Sequence, residues 1–261
     1  MLKKEICEII YKNAYDILLN EIGKHDLELH LENDSKFNDI NTITYRLISS
    51  AQNRQMMPNV IKFHKNEEAM KNILFNFSHN NILNTYKNSE LLLNIFKKKF
   101  SSAKISNEKR NLWFQFSESI FSICNFMSNF KDEKEFNNFV KSFNFNKYTK
   151  ASLPMLLSTE IKGFRFALAC DFLKELGYRE YPKPDIHLID IFYELKLSES
   201  RDPYDVYKNI VEFSEIINID AYSVDKIFWL LSSGDFYRIN KTMKSKKKEF
   251  IEMMKNKLSI N

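Results

Sequence analysis

The chain is poor in glycine, with four in 261 residues, and nearly as poor in proline, with five. It contains no Asn-Gly or Asp-Gly pair of the kind that closes a β-hairpin, and no segment of sustained polar–apolar alternation. Those absences exclude a β-sandwich or barrel. Cysteine is also scarce. Cys7, Cys124 and Cys170 are odd in number and far apart, which excludes a disulfide framework and a zinc or cluster spacing. They read as reduced thiols of a cytoplasmic protein. His25 and His30 lack metal-ligand spacing, so neither metal nor cofactor is expected. No apolar run approaches the roughly 18 residues that span a bilayer, so no membrane partner is expected. The N-terminal Met1–Ile10 stretch carries acids and lacks the apolar core of a signal peptide. The net charge of +5 permits nucleic-acid binding without demanding it, because a chain rich in Lys and Asn also suits an AT-rich genome.

Helical periodicity runs through nearly all of the chain. Ile6, Ile9, Ile10, Ala14, Ile17 and Leu18 form one stripe of a helix from Lys3 to about Glu21. Gly23 to Asp34 reads as a polar connection, and Asp39 to Gln52 as a helix. A long buried helix is predicted from Asn107 or Glu108 to about Phe130, carrying Trp113, Phe114, Phe116, Ile120, Phe121 and Cys124. Pro154 is placed in the first turn of the next helix. Asp202-Pro203 caps a helix to about Ile217, and Ser223 to Leu231 forms another, stopped by Gly234. Lys241 to Leu258 reads as a final basic helix. There is no internal repeat. The fold class is all-α.

The most informative stretch is Glu160-Ile-Lys-Gly-Phe-Arg-Phe-Ala-Leu-Ala-Cys-Asp-Phe-Leu-Lys-Glu-Leu-Gly177, followed by Pro182-Lys-Pro-Asp-Ile-His187. Two of the four glycines frame one helix. Gly163 and Gly177 are therefore expected where the backbone needs positive φ or a close approach. A turn that opens a helix with outward amides can hold a phosphate. Upstream lies Leu47-Ile-Ser-Ser-Ala-Gln-Asn53.

These blocks resemble the helix-hairpin-helix DNA glycosylases, the superfamily of endonuclease III and the alkyladenine glycosylases. The family's hairpin has the form Leu-Pro-Gly-Val-Gly-Arg-Lys-Thr-Ala and is followed by a catalytic aspartate in Val-Asp-Thr-His. On this chain Gly163 takes the first hairpin glycine and Arg165 the second. Ala167 takes the place of the lysine nucleophile of bifunctional members. Asp185 lies 18 residues beyond Ala167, and His187 matches the histidine of Asp-x-His. Gln52 falls where the family has a DNA-inserting glutamine. The match covers roughly forty residues in two blocks. The second hairpin glycine and the four-cysteine cluster of many relatives are absent.

The resemblance implies a two-lobed helical fold: residues 1–34 with 188–261 as a terminal lobe, and 35–187 as a barrel lobe. The barrel lobe holds the hairpin at about 155–177 and an insertion around 67–145. It implies a glycosylase that excises a damaged or modified base from double-stranded DNA. Asp185 would be the catalytic carboxylate. Lys162, Gly163, Phe164 and Arg165 would bind the DNA backbone, and Gln52, Asn53 and Arg54 would fill the gap left by the flipped base. His187 and Trp113 are the candidates for a base pocket. Ala167 favours a monofunctional enzyme, although Lys150, Lys162 or Lys183 could supply a displaced nucleophile. The expected protein is a monomer, cytoplasmic and nucleoid-associated when bound to DNA. Other readings stay open: Asp185 as a helix cap, Trp113 as core, and the chain as a non-catalytic DNA-binding protein or a helical interaction module.

Overall fold

The computed structural model describes residues 3–32, 37–54 and 56–259, so Gln55 of the Asn53-Arg54-Gln55 cluster lies outside the described residues. Among the described residues the chain is all-α, with fifteen α-helices and one minimal pair of strands. The helices are α1 (Lys4–Ile22), α2 (Lys24–Leu31), α3 (Ile40–Ala51), α4 (Met57–Ile61), α5 (Glu67–Ile73), α6 (His79–Tyr86), α7 (Ser89–Lys99), α8 (Leu112–Met127), α9 (Glu133–Lys141), α10 (Lys147–Glu160), α11 (Phe166–Glu175), α12 (Ile186–Glu194), α13 (Pro203–Ile217), α14 (Ala221–Ser233) and α15 (Lys247–Leu258). None is long and apolar enough to cross a membrane.

The chain divides into two compact units. The terminal unit comprises Met1–Ser35, Asn144–Ala151 and Gly177–Asn261; the middle unit comprises Lys36–Phe143 and Ser152–Leu176. Asp185 and His187 thus belong with the chain ends, and the segment 162–165 belongs with the middle.

In the terminal unit α1 packs on α13 and α14, as expected of the N-terminal helix. Cys7, Ile10, Ala14 and Leu18 meet Phe192, Phe213, Ile227 and Phe228 in one core. Carboxylates start its helices: Asp202 accepts from the Tyr204 amide and Asp220 from the Ser223 amide. Two expectations change here. The stretch after Gly23 forms α2, because Leu27 and His30 bury one face of it. The C-terminal helix begins at Lys247 and not at Lys241. Gly234, at φ +67, ends α14, and Asp235–Phe236 then pairs antiparallel with Lys241–Thr242.

In the middle unit α8 is central, packed by α3, α6 and α7. Asn111 caps it at the Trp113 and Phe114 amides. Trp113, Phe116, Ile120, Ile123 and Cys124 are buried along it. Pro154 lies inside α10 and not in its first turn. Asn146 caps that helix earlier, through the Tyr148 and Thr149 amides. The missing N–H of Pro154 removes one rung of the helix without ending it. Phe75, Asn76 and Phe77 are left-handed in succession, at φ +49, +52 and +62. Phe77 is held there by Tyr45 and Phe63, at ring-centroid distances of 4.8 and 6.1 Å. Cys7, Cys124 and Cys170 are buried thiols outside any disulfide, and burial pushes the Cys124 thiol up to about 12.

Candidate functional site

The turn between α10 and α11 is built by α8. The Lys162 amide donates to Ser122 Oγ at 2.9 Å, and the Ser119 hydroxyl donates to the Lys162 carbonyl at 2.7 Å. Lys162 Nζ reaches Glu118 at 2.7 Å. The Phe164 amide closes the turn on the Ile161 carbonyl at 3.1 Å. Two of the amides expected to face outward, those of Lys162 and Phe164, are therefore used inside the fold.

Gly163 sits at φ +84, and a Cβ there would lie 2.3 Å from Arg54 Nη1. Both expectations for this glycine hold, positive φ and close approach. Gly163→Ala combines a left-handed alanine, about 1–2 kcal/mol, with a displaced guanidinium. It should lower unfolding free energy in urea by about that amount, whereas a variant as stable as the parent would contradict the left-handed geometry of the turn.

Arg54 thus joins the two sequence blocks. It comes from the turn after α3, donates through Nη2 to Gln115 Oε1 on α8, and lies under Gly163. Burial, and then the charge of Arg165, lower the proton affinity of the Arg54 guanidinium, which nevertheless stays charged. Arg165 is exposed, with extended backbone at φ −115, so a non-glycine residue fits that position without strain. It stands at the N-cap of α11, and its own side chain makes no capping hydrogen bond. Lys162, Arg54 and Arg165 therefore form a basic cluster at a helix start, a combination that suits an oxyanion.

Other expected contacts are not where the sequence reading put them. Gln52 is 3% exposed; its amide nitrogen donates to Asn53 Oδ1 at 3.1 Å, and its Oε1 is buried without a partner among the described residues. It cannot reach into DNA as it stands, while Asn53 beside it is exposed. Phe164 is 4% exposed and meets Phe172 edge-on, so its side chain is core. Trp113, 1% exposed, lies against Phe96 and Phe100 at 5.3 and 4.9 Å and lines no accessible base pocket. Its position along an apolar helix explains this, since α8 turns that face to the core.

In the terminal unit Asp185 is the N-cap of α12. Its Oδ1 accepts from the His187 and Leu188 amides at 2.9 and 3.2 Å, which leaves Oδ2 outside the cap. Burial, and then the charge of Asp225 on α14, raise the Asp185 carboxyl above the usual carboxylate range; Lys183 and His187 act weakly the other way. His187 is half-buried, with its Nδ1 buried and unpartnered among the described residues. Cavities of about 240 and 620 Å³ in this unit open elsewhere, beside Arg179 and Lys208 respectively, and Asp185 lines neither. Of the possible nucleophilic lysines, Lys150 is paired with Glu215 at 2.9 Å and Lys162 with Glu118.

Sequence reasoning missed the α8 residues that hold the turn. Gln115, Glu118, Ser119 and Ser122 form a polar stripe at helical spacing on an otherwise apolar helix, and that stripe was a visible signal. It also missed Asp225, a buried acid on α14. No protein-family model, curated protein or solved structure matches the chain.

Proposed function

We propose that this chain is a monofunctional DNA glycosylase of the helix-hairpin-helix type, hydrolysing the N-glycosidic bond of a damaged or modified base. The observation that carries the reading is the contact of Arg54 with Gly163. Two segments singled out as DNA-facing, more than a hundred residues apart in sequence, form one basic cluster at the start of α11. Lys162 and Arg165 hold the DNA backbone there by charge, fixing register without reading sequence. Exposed Asn53, not buried Gln52, is the amide available to face the orphaned base, with both a donor and an acceptor to offer.

The chemistry falls to Asp185. As the base departs with the bonding electron pair, positive charge builds on the deoxyribose, and a nearby carboxylate stabilises it. Water then adds to C1′ and passes a proton to the carboxylate, while the base, which left with the bonding pair, takes a proton from solvent, so that the products are the free base and the abasic sugar hydroxyl. A carboxyl whose proton affinity is raised is the better base for that transfer. Ala167 offers no amine for a Schiff base, so the abasic strand stays intact. The test is release of free base from lesion-bearing duplexes.

A further inference from the structure

We propose that Asp225 is a positioning residue for Asp185, holding the loop that carries it through the Lys183 amide. The inference rests on the role proposed for Asp185.

The loop is Pro182-Lys183-Pro184-Asp185. Neither proline has an N–H. Lys183 therefore owns the single backbone donor of the three residues before Asp185. That donor goes to Asp225 Oδ2 at 2.6 Å, a short charge-assisted bond. The Lys183 carbonyl in turn accepts from the Asp185 amide at 2.8 Å. Asp185 Oδ1 then takes the first amides of α12. A continuous series of hydrogen bonds thus runs from the interior of α14 through the loop to the start of α12, two helices that pack on each other.

Asp225 is 1% exposed on α14, beside Lys226. Burying a carboxylate there is costly unless it is hydrogen-bonded. A neutral acceptor would serve to hold the Lys183 amide. A carboxylate also places negative charge against Asp185. The charged or titratable groups that face Asp185 are Asp225 from α14, Lys183 from the loop and His187 from α12, and Asp225 alone disfavours its ionised form. Asp225 accordingly fixes the loop and holds the proton on Asp185 to higher pH.

The two functions separate in two variants of the full chain. Asp225→Asn keeps an oxygen for the Lys183 amide and loses the charge. Asp225→Leu loses both. Asp185 is titrated by carboxyl carbon NMR, the Lys183 amide is followed by hydrogen exchange, and base release is measured against pH in single turnover. In the Asn variant the Lys183 amide should stay protected, Asp185 should titrate at lower pH, and the acid limb of base release should move with it. In the Leu variant the Lys183 amide should exchange faster and base release at pH 7 should fall on the order of 100-fold. A Lys183 amide that exchanges as slowly in the Leu variant as in the wild type would overturn the proposal, and so, should the Leu variant fail to fold, would a Lys183 amide that is unprotected in the wild type itself. So would base release abolished in Asp225→Asn but retained in Asp185→Asn, which would exchange the two roles. If the Lys183 amide behaves as expected in both variants while no protein, wild type included, releases a base, the loop contact holds and the glycosylase reading fails.

Discussion

Asp185→Asn should lose base release by on the order of 10³-fold or more while remaining folded and at least as stable as the wild type at pH 7. The substitution keeps the acceptor that takes the His187 and Leu188 amides, and asparagine caps a helix about as well as aspartate. What it removes is a charge that burial and Asp225 both disfavour. The sign of the stability change follows from that. The folded Asp185 carboxyl binds its proton more tightly than the unfolded one, so its favourable contribution is complete below the unfolded pKa of about 4. The contribution is lost as pH rises through the higher folded value. Asparagine never ionises and escapes that loss. Melting temperature should therefore be equal or higher in the variant at neutral pH, with any difference shrinking in acid. A variant that releases base at the wild-type rate would leave Asp185 as a cap alone. One that melts well below the wild type at pH 7 would contradict the account of its burial.

Lys162→Glu combined with Arg165→Glu should weaken binding to every duplex, lesion or not, on the order of tenfold or more at low salt. Both side chains are exposed, so folding should persist, although Lys162→Glu places a second acid beside Glu118. The slope of log affinity against log salt should flatten by about 0.9 for each phosphate that the protein no longer neutralises. Affinity and slope both unchanged would remove this cluster as the DNA-facing surface. Arg54 is the wrong residue for that test, because it is packed between Gly163 and Gln115 and its loss would disturb the turn itself.

The reach of the sequence differs between elements for physical reasons. Helix starts were legible at Asp39 and Asp202, where an aspartate caps the first amides, but not at Asn111 or Asp220, whose helices were expected to begin at Asn107 or Glu108 and at Ser223. Scarce glycine made Gly163 and Gly234 conspicuous, and both lie at positive φ. Polarity misled where it was taken for exposure. Gln52 is polar and buried, held by Asn53, and the charged stretch after Gly23 is a helix with one apolar face. The proline rule misled at Pro154 because the cap lies upstream, at Asn146. The support of the turn by α8, like the bond from Lys183 to Asp225, joins positions about forty residues apart. Such contacts leave only a weak local trace, a polar stripe on α8 or a single acid on α14.

The most direct measurement is single-turnover incubation of the wild-type protein with duplexes that each carry one damaged or modified base, scored for free base and for strand cleavage with and without alkali. The account predicts free base from at least one duplex, an abasic strand that breaks only after alkali, and no adduct on borohydride treatment. Binding to all duplexes with no base released from any would contradict it and leave a non-catalytic DNA-binding protein. Strand cleavage without alkali, with a borohydride-trapped adduct, would contradict the monofunctional assignment and identify a lysine as the nucleophile.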